Sequence, residues 1–505
     1  MYKRDKSLFY AGMIIFFVAY IVILLILAKK TVLWEDEVYS LHTTSQNINY
    51  AIKQSYNFEG QPPFYFILLT IWRKISDTLF FARLFSLVFA LLSGLIIYKI
   101  FRNFIDEEVS VISAILFLLN PAIVFFSFEA RLYSFIVFLS ALSIYLFYKA
   151  YLLNSPKKNN LFLHAAVSVA GVFTQYFFVL LLLAQALALL LVLGWKKCIK
   201  YLLIHSVIGL FFSMNFLIIP FQVNAVRNDQ FGFDLLYLKT FLRTLQNFIF
   251  SFNLINFNLI LRRLIIIIFF FWLVILFKRV QFNVKSLFKT FNPINFIIII
   301  TLLIYFSIVI LICLFNVDYN DRYMAILYPS FFIIFIFSLT LIKKSFLIWA
   351  PLILIYYGFI NYNSYSCFVK HYDYEQVAKY VERLEKDNEP ILFYLSAHAL
   401  PFQYYYKGSN EIVPLPVPVK FDSVNYFKNI YIPDTVCLNT IFEKDLKSYK
   451  SFLFISDNIY SILGKSTNKQ MIDSFLVNKF IFNLDTAVKG RDKENSFRIR
   501  RIIRK

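Results

Sequence analysis

The sequence predicts a polytopic α-helical membrane protein that ends in a small extracytoplasmic α/β domain. Three observations predict it: an apolar composition, recurrent apolar runs of membrane-crossing length, and a change of texture after Asn361. Of 505 residues, 59% are hydrophobic and 16% charged, against roughly 45–50% apolar and 25% charged in soluble domains. A water-soluble fold could not bury that surface. The runs at 8–28, 80–101, 109–128 and 132–153 each come close to the ~20 residues that cross a ~30 Å hydrocarbon core. Continued to the end of the apolar part, the same reading gives about eleven spans.

The first run follows Lys3, Arg4 and Lys6, as a signal peptide would, but exceeds an apolar core of about 7–15 residues. Its end, Leu27-Ala28-Lys29-Lys30, offers no cleavage site, so an uncleaved anchor is expected. Orientation follows from the basic residues of short loops, which stay cytoplasmic. Alternate connections carry Lys99 and Arg102; Lys149, Lys157 and Lys158; Lys196, Lys197 and Lys200; Lys278, Arg279, Lys285 and Lys289; Lys343 and Lys344. Those loops and the N-terminus are therefore expected inside. The connections 29–79, 221–258 and 316–322, the tips near Glu129 and Gln175, and the tail are expected outside. This pattern accounts for a net charge of +21 without nucleic acid as a partner. Arg262 and Arg263, at an outer boundary, are read as snorkelling cations.

Two domains are expected, a transmembrane domain over 1–362 and an extracytoplasmic α/β domain over 363–505. Within the outer loop 29–79, the stretch 64–72 is apolar but too short to cross, and Arg73-Lys74 closes it. It reads as an interfacial or re-entrant helix, with 47–57 as a second surface helix. In the tail, 374–384 has helical spacing and 401–406 reads as a short helix. Stretches 391–395, 411–416, 451–455 and 497–503 read as strands. Cys198, Cys313, Cys367 and Cys437 show neither CxxC spacing nor a histidine cluster. No zinc site or disulfide framework follows, and pairing of Cys367 with Cys437 stays open.

Four polar clusters stand on the expected outer face. The first is Trp34-Glu35-Asp36-Glu37, in the loop that also holds Gly60-Gln61-Pro62-Pro63-Phe64-Tyr65. The others are Glu129-Ala130-Arg131-Leu132-Tyr133-Ser134, Thr174-Gln175-Tyr176-Phe177 and Asp321-Arg322-Tyr323. An acidic run is ordinarily a solvated loop and a tip ion pair is ordinarily structural. Hydropathy, however, does not require four such clusters to meet at one depth, and ionisable groups at membrane depth are site candidates. There is no GxGxxG, Walker or D-x-D motif for a nucleotide substrate.

The order of an acidic pair after the first span, a PP-x-Y-like element, the EARLYS tip, the TQYF tip and a late RY resembles membrane glycosyltransferases of the GT-C superfamily. The nearest group is the RgtA/B/C/D-like enzymes related to dolichyl-phosphate-mannose protein mannosyltransferases. The resemblance runs over about 8–350. It implies a polyprenyl-phosphate sugar donor and inverting transfer to an acceptor hydroxyl of a lipid, glycan or protein. It also implies residence in the cell membrane and a role in cell-envelope glycan or glycoprotein modification. Gln61 and Gln175 stand where the family commonly has histidine, which leaves divalent-metal dependence open and no cofactor certain.

An acceptor hydroxyl needs a base, for which Asp36 is the first candidate and Glu37, turned by ~100° on a helix, the second. Their roles are interchangeable at this stage. Arg131 and Arg322 are expected to neutralise the donor phosphate, with Arg262 and Arg263 as alternatives. Glu129 is expected to orient Arg131. Gln61, Gln175, Tyr133 and Tyr323 are expected to support them. A lipid-linked glycan polymerase or ligase would share these features. A transporter or flippase would instead place its key groups near the midplane on paired broken helices.

Overall fold

In hydrocarbon the backbone must satisfy its own polar groups, so the apolar runs become helices. The computed structural model describes residues 2–153, 155, 157–213, 300–301, 303–304, 307–308, 321–340, 343–363, 373–421, 435–456, 461–462, 465–466, 469–489 and 496–505. Contacts divide the chain into two units: Met1–Lys29, Gln46–Tyr56 and Gln61–Ser364, then Lys30–Ser45, Asn57–Gly60 and Tyr365–Lys505. The outer loop is thus shared out between them.

The first helices are α1 (Tyr2–Lys30), α2 (Glu35–Thr43), α3 (Ile48–Gln54), α4 (Phe64–Arg73) and α5 (Leu79–Arg102). There follow α6 (Glu107–Leu119), α7 (Pro121–Ser127), α8 (Tyr133–Phe147), α9 (Lys158–Val172), α10 (Phe178–Leu193) and α11 (Trp195–Ser213). After a 3₁₀ turn over Asp321–Leu327 come α12 (Tyr328–Thr340) and α13 (Lys343–Asn363). Among the described residues four stretches are long and apolar enough to cross a membrane: Phe9–Lys30, Leu79–Arg102, Tyr133–Leu152 and Phe346–Asn363. Shorter apolar helices occupy Phe64–Arg73, Phe178–Leu193 and Met324–Thr340. The expected outer loop 221–258, Arg262, Arg263, Cys313 and Cys367 lie outside the described residues.

The stretch 109–128, expected as one span, is broken: α6 and α7 meet at 64°. Proline lacks an N–H and its ring clashes with the preceding turn, so α6 cannot run through Pro121. Asn120 instead caps α7, its Oδ1 accepting from the Ala122 N–H at 3.0 Å. The carbonyls stranded by the break find donors elsewhere: Tyr20 Oη donates to Leu118 O (2.7 Å) and Asn361 Nδ2 to Leu119 O (2.8 Å). Arg83 caps the end of α1 in the same way, donating from Nη1 to Ala28 O at 2.8 Å. Helices α5 and α6 pack so closely that a Cβ on Gly94 would lie 2.8 Å from the Leu118 side chain. Small residues permit such approach inside membranes.

A second feature escaped the sequence reading. His164, Gln185, Tyr201 and His205 come together between α9, α10 and α11, with Ser143 of α8 beside them. His164 Nδ1 lies 3.1 Å from His205 Nε2, and His164 Nε2 lies 3.1 Å from Gln185 Oε1. Gln185 Nε2 donates to Ser143 Oγ at 3.1 Å and Tyr201 Oη to Gln185 Oε1 at 2.9 Å. Tyr201 and His205 stand four residues apart on α11 and stack on each other, but no local pattern pairs them with His164 on α9 or Gln185 on α10.

In the second unit α14 (Tyr374–Leu384), β1 (Ile391–Tyr394), α15 (Ser396–Tyr405), β2 (Ile412–Leu415), α16 (Thr435–Thr440) and β3 (Ser451–Ser456) follow in order. The short strands β4 (Ser461–Ile462) and β5 (Lys465–Ser466), then α17 (Lys469–Lys479), β6 (Phe480–Lys489) and β7 (Ser496–Arg504) complete it. The main sheet runs β2-β1-β3-β7-β6. Strand β1 is parallel to β2 and β3, and β7 is antiparallel to β3 and β6. Side chains alternate across a strand. Ile391, Phe393, Leu453 and Ile455 accordingly join the core under α14 and α15, and Leu392, Tyr394, Phe452 and Phe454 the core under α16 and α17. Helix α15, expected over 401–406, opens at Ser396 and carries Pro401 inside. Burial of Ala397, Ala399 and Phe402 outweighs the bond that the proline forgoes.

Candidate functional site

The acidic cluster forms the first turn of α2. The unpaired N–H groups at a helix N-terminus favour negative charge, so three carboxylates suit this end. Trp34 at the N-cap makes no side-chain capping bond, and the backbone turns on Glu37 N to Trp34 O at 3.1 Å. Successive residues point ~100° apart on a helix. Glu37 is therefore fully buried, while Glu35 and Asp36 stay partly exposed.

This helix packs within the second unit, with the C-terminal residues. Val32 joins the core of α14 and β1, and the Leu33 N–H donates to Tyr405 Oη at 2.8 Å. Tyr39 and Phe58 form an apolar knot with Ala397, and Phe421 packs edge-on and tilted against both rings. His42 stacks on Phe421 with ring centroids 3.7 Å apart, and burial pushes its imidazole below the usual range. Glu35 reaches Tyr374 and His398, a contact with nothing in the local sequence to announce it.

The remaining site residues belong to the helical unit. The tip between α7 and α8 folds back on itself, Arg131 N donating to Glu129 O at 2.8 Å. Ser86 of α5 donates to the same carbonyl, and Glu129 is buried. Tyr133 opens α8 and lies under Arg322, whose guanidinium carbon sits 5.7 Å from the ring centroid. Such a stack holds a cation over a ring face. Ser140 Oγ donates to Ile326 O at 2.6 Å and fixes the 3₁₀ turn of Arg322 to α8. Tyr323 shares that turn by its backbone; its expected side-chain role lies outside what is described.

Gln61 and Gln175 stand on segments joined by a backbone bond, Phe64 N to Phe173 O at 2.8 Å. Gly60, with φ of 64°, supplies the left-handed turn before Gln61-Pro62-Pro63. Each glutamine buries its Oε1 without a donor among the described residues. Among the described residues no three of His, Cys, Asp or Glu converge as metal ligands. The structure therefore links Arg322 with Tyr133, Glu129 with Arg131 by backbone, and the Gln61 segment with the Gln175 segment. Asp36 and Glu37 lie together in the other unit.

Residues 60–219 match the dolichyl-phosphate-mannose-protein mannosyltransferase family. That stretch includes Gln61, Glu129, Arg131, Tyr133 and Gln175 and leaves out Asp36, Glu37 and Arg322. The apo crystal structure of ArnT from Cupriavidus metallidurans superposes on 98% of this chain and 98% of its own, with a TM-score of 0.58 at 11% identity. The chain has a GT-C fold. The same ArnT bound to undecaprenyl phosphate gives a TM-score of 0.57 at 10% identity over 97% of this chain and 98% of that one. The oligosaccharyltransferase AglB from Archaeoglobus fulgidus, in complex with an inhibitory peptide and a dolichol-phosphate, is similar at a TM-score of 0.44 and 10% identity, over 87% of this chain and 69% of that one. No curated protein sequence matches the chain. The resemblance drawn from the short motifs thus agrees with the family match and with the fold.

Proposed function

We propose that this GT-C protein transfers a sugar from a polyprenyl-phosphate donor to an acceptor hydroxyl at the outer face of the cell membrane, with inversion. The observation that carries the reading is the preformed acidic turn of α2, which presents Asp36 partly exposed beside a buried Glu37. A hydroxyl becomes a competent nucleophile when a positioned carboxylate takes its proton, an effect of roughly 10²–10⁴. In this proposal Asp36 is that base and Glu37 holds the acceptor or the turn itself. The departing lipid phosphate accumulates negative charge, and Arg131 and Arg322 compensate it. Support for a lipid-phosphate donor comes from the family matched over 60–219 and from the fold shared with a protein that binds undecaprenyl phosphate. The acceptor is a lipid, glycan or protein of the cell envelope.

The test is mass spectrometry of surface glycans, lipids and glycoproteins in cells with and without this chain, beside turnover of undecaprenyl-phosphate-linked sugars by purified protein in nanodiscs. Loss of one modification together with donor consumption supports the reading. Unchanged glycans and no consumption of any donor overturn it.

A further inference from the structure

The acidic turn is tied to the C-terminal residues by a chain of polar contacts. Tyr374 Oη donates to Glu35 Oε1 at 3.4 Å, and His398 Nδ1 lies 2.7 Å from the same Tyr374 oxygen and 3.3 Å from Glu35 Oε1. With a proton on Nδ1, His398 donates to Tyr374 and Tyr374 donates to the carboxylate, an arrangement compatible with the three distances.

The partners are themselves rigid. His398 sits in the first turn of α15, just past the carboxyl end of β1, a strand parallel to both its neighbours. Tyr374 opens α14 and is buried. Phe497 of β7 packs against both rings, at centroid distances of 5.5 Å and 5.8 Å. By contrast α2 has 9 residues and no side-chain cap, too short to persist without tertiary contacts. Tertiary contacts therefore hold it: those of Val32, Leu33, Tyr39 and His42, and the hydrogen bond that Tyr374 makes to its first residue.

We propose that His398 and Tyr374 are positioning residues: they fix Glu35 and, through the same helical turn, the carboxylates of Asp36 and Glu37. The kinetic part rests on the sugar-transfer reading. The C-terminal unit is, in this view, part of the catalytic apparatus.

The experiment uses the full chain in nanodiscs, with Tyr374→Phe, His398→Ala and His398→Asn. Phenylalanine keeps the ring packing and removes only the hydroxyl, while asparagine retains a donor near the Nδ1 position. Hydrogen exchange over residues 32–44 should quicken on the order of tenfold in Tyr374→Phe and His398→Ala and return toward wild type in His398→Asn. With whichever undecaprenyl-phosphate-linked sugar the wild type consumes fastest, kcat should fall on the order of tenfold in the first two variants, with donor KM unchanged and His398→Asn largely restored. Unchanged exchange in both disruptive variants overturns the proposal. So does loss of kcat that asparagine fails to restore, or a change confined to KM. If the wild type consumes no donor at all, the sugar-transfer reading falls and exchange alone decides the positioning role.

Discussion

Helix α8 joins two polar regions of opposite character. Tyr133, at its first residue, stacks under Arg322 beside the Glu129–Arg131 tip, a region of full charges. Ser143, ten residues or roughly 15 Å further along, joins the network of His164, Gln185, Tyr201 and His205, built from imidazoles, an amide and hydroxyls. In a medium without water an uncompensated charge is expensive, while neutral groups can satisfy one another at little cost. The network around Ser143 is thus suited to hold four helices together. In the proposed reading, the charged region around Tyr133 meets the donor phosphate. Substitutions should separate these roles, with donor use responding at the Tyr133 end of α8 and stability at the Ser143 end.

The largest effect is expected beyond both, at the proposed base: Asp36→Asn should lower turnover about a thousandfold while leaving binding of undecaprenyl phosphate nearly intact. Full turnover in that variant would remove Asp36 from the chemistry and move attention to Glu37. Next, Arg322→Ala should raise the donor KM on the order of thirtyfold with little change in thermal stability, as expected for a lost phosphate contact. An unchanged KM would relocate the phosphate site, and Arg262 and Arg263 would be the next residues to substitute. His164→Leu should do the reverse, lowering unfolding stability by about 1 kcal/mol with donor KM unaltered. A stability loss confined to Arg322→Ala would break the comparison. Smallest of all, Tyr133→Leu should raise the donor KM about threefold, the scale of a weak cation–π contact.

Much of this was legible because it depends on short-range pattern. The apolar runs of membrane-crossing length announced helices at Phe9–Lys30, Leu79–Arg102 and Tyr133–Leu152. Short apolar runs rich in aromatic and β-branched residues announced β1, β2, β3 and β7 within a residue or so. Strand β6 was missed because FIFNLDTAVK mixes polar and apolar residues without a clean period, as suits a strand at the edge of the sheet. Pro121 lies inside an apolar run of spanning length, and the run's hydropathy hides the bend that proline inside a helix usually marks. The contacts of Glu35 with Tyr374 and of His164 with His205 join residues 339 and 41 apart in sequence. Nothing local encodes such meetings; they exist only once the chain has folded.

The break at Asn120-Pro121 sets an order of events during synthesis. When α6 and α7 enter the bilayer, Tyr20 is already present to cover Leu118 O, but the donor for Leu119 O lies 242 residues downstream on α13. Until that late helix arrives, the bend carries an exposed carbonyl that lipid cannot satisfy. The bend between α6 and α7 is thus completed by a contact that forms only once the chain through Asn361 is in place.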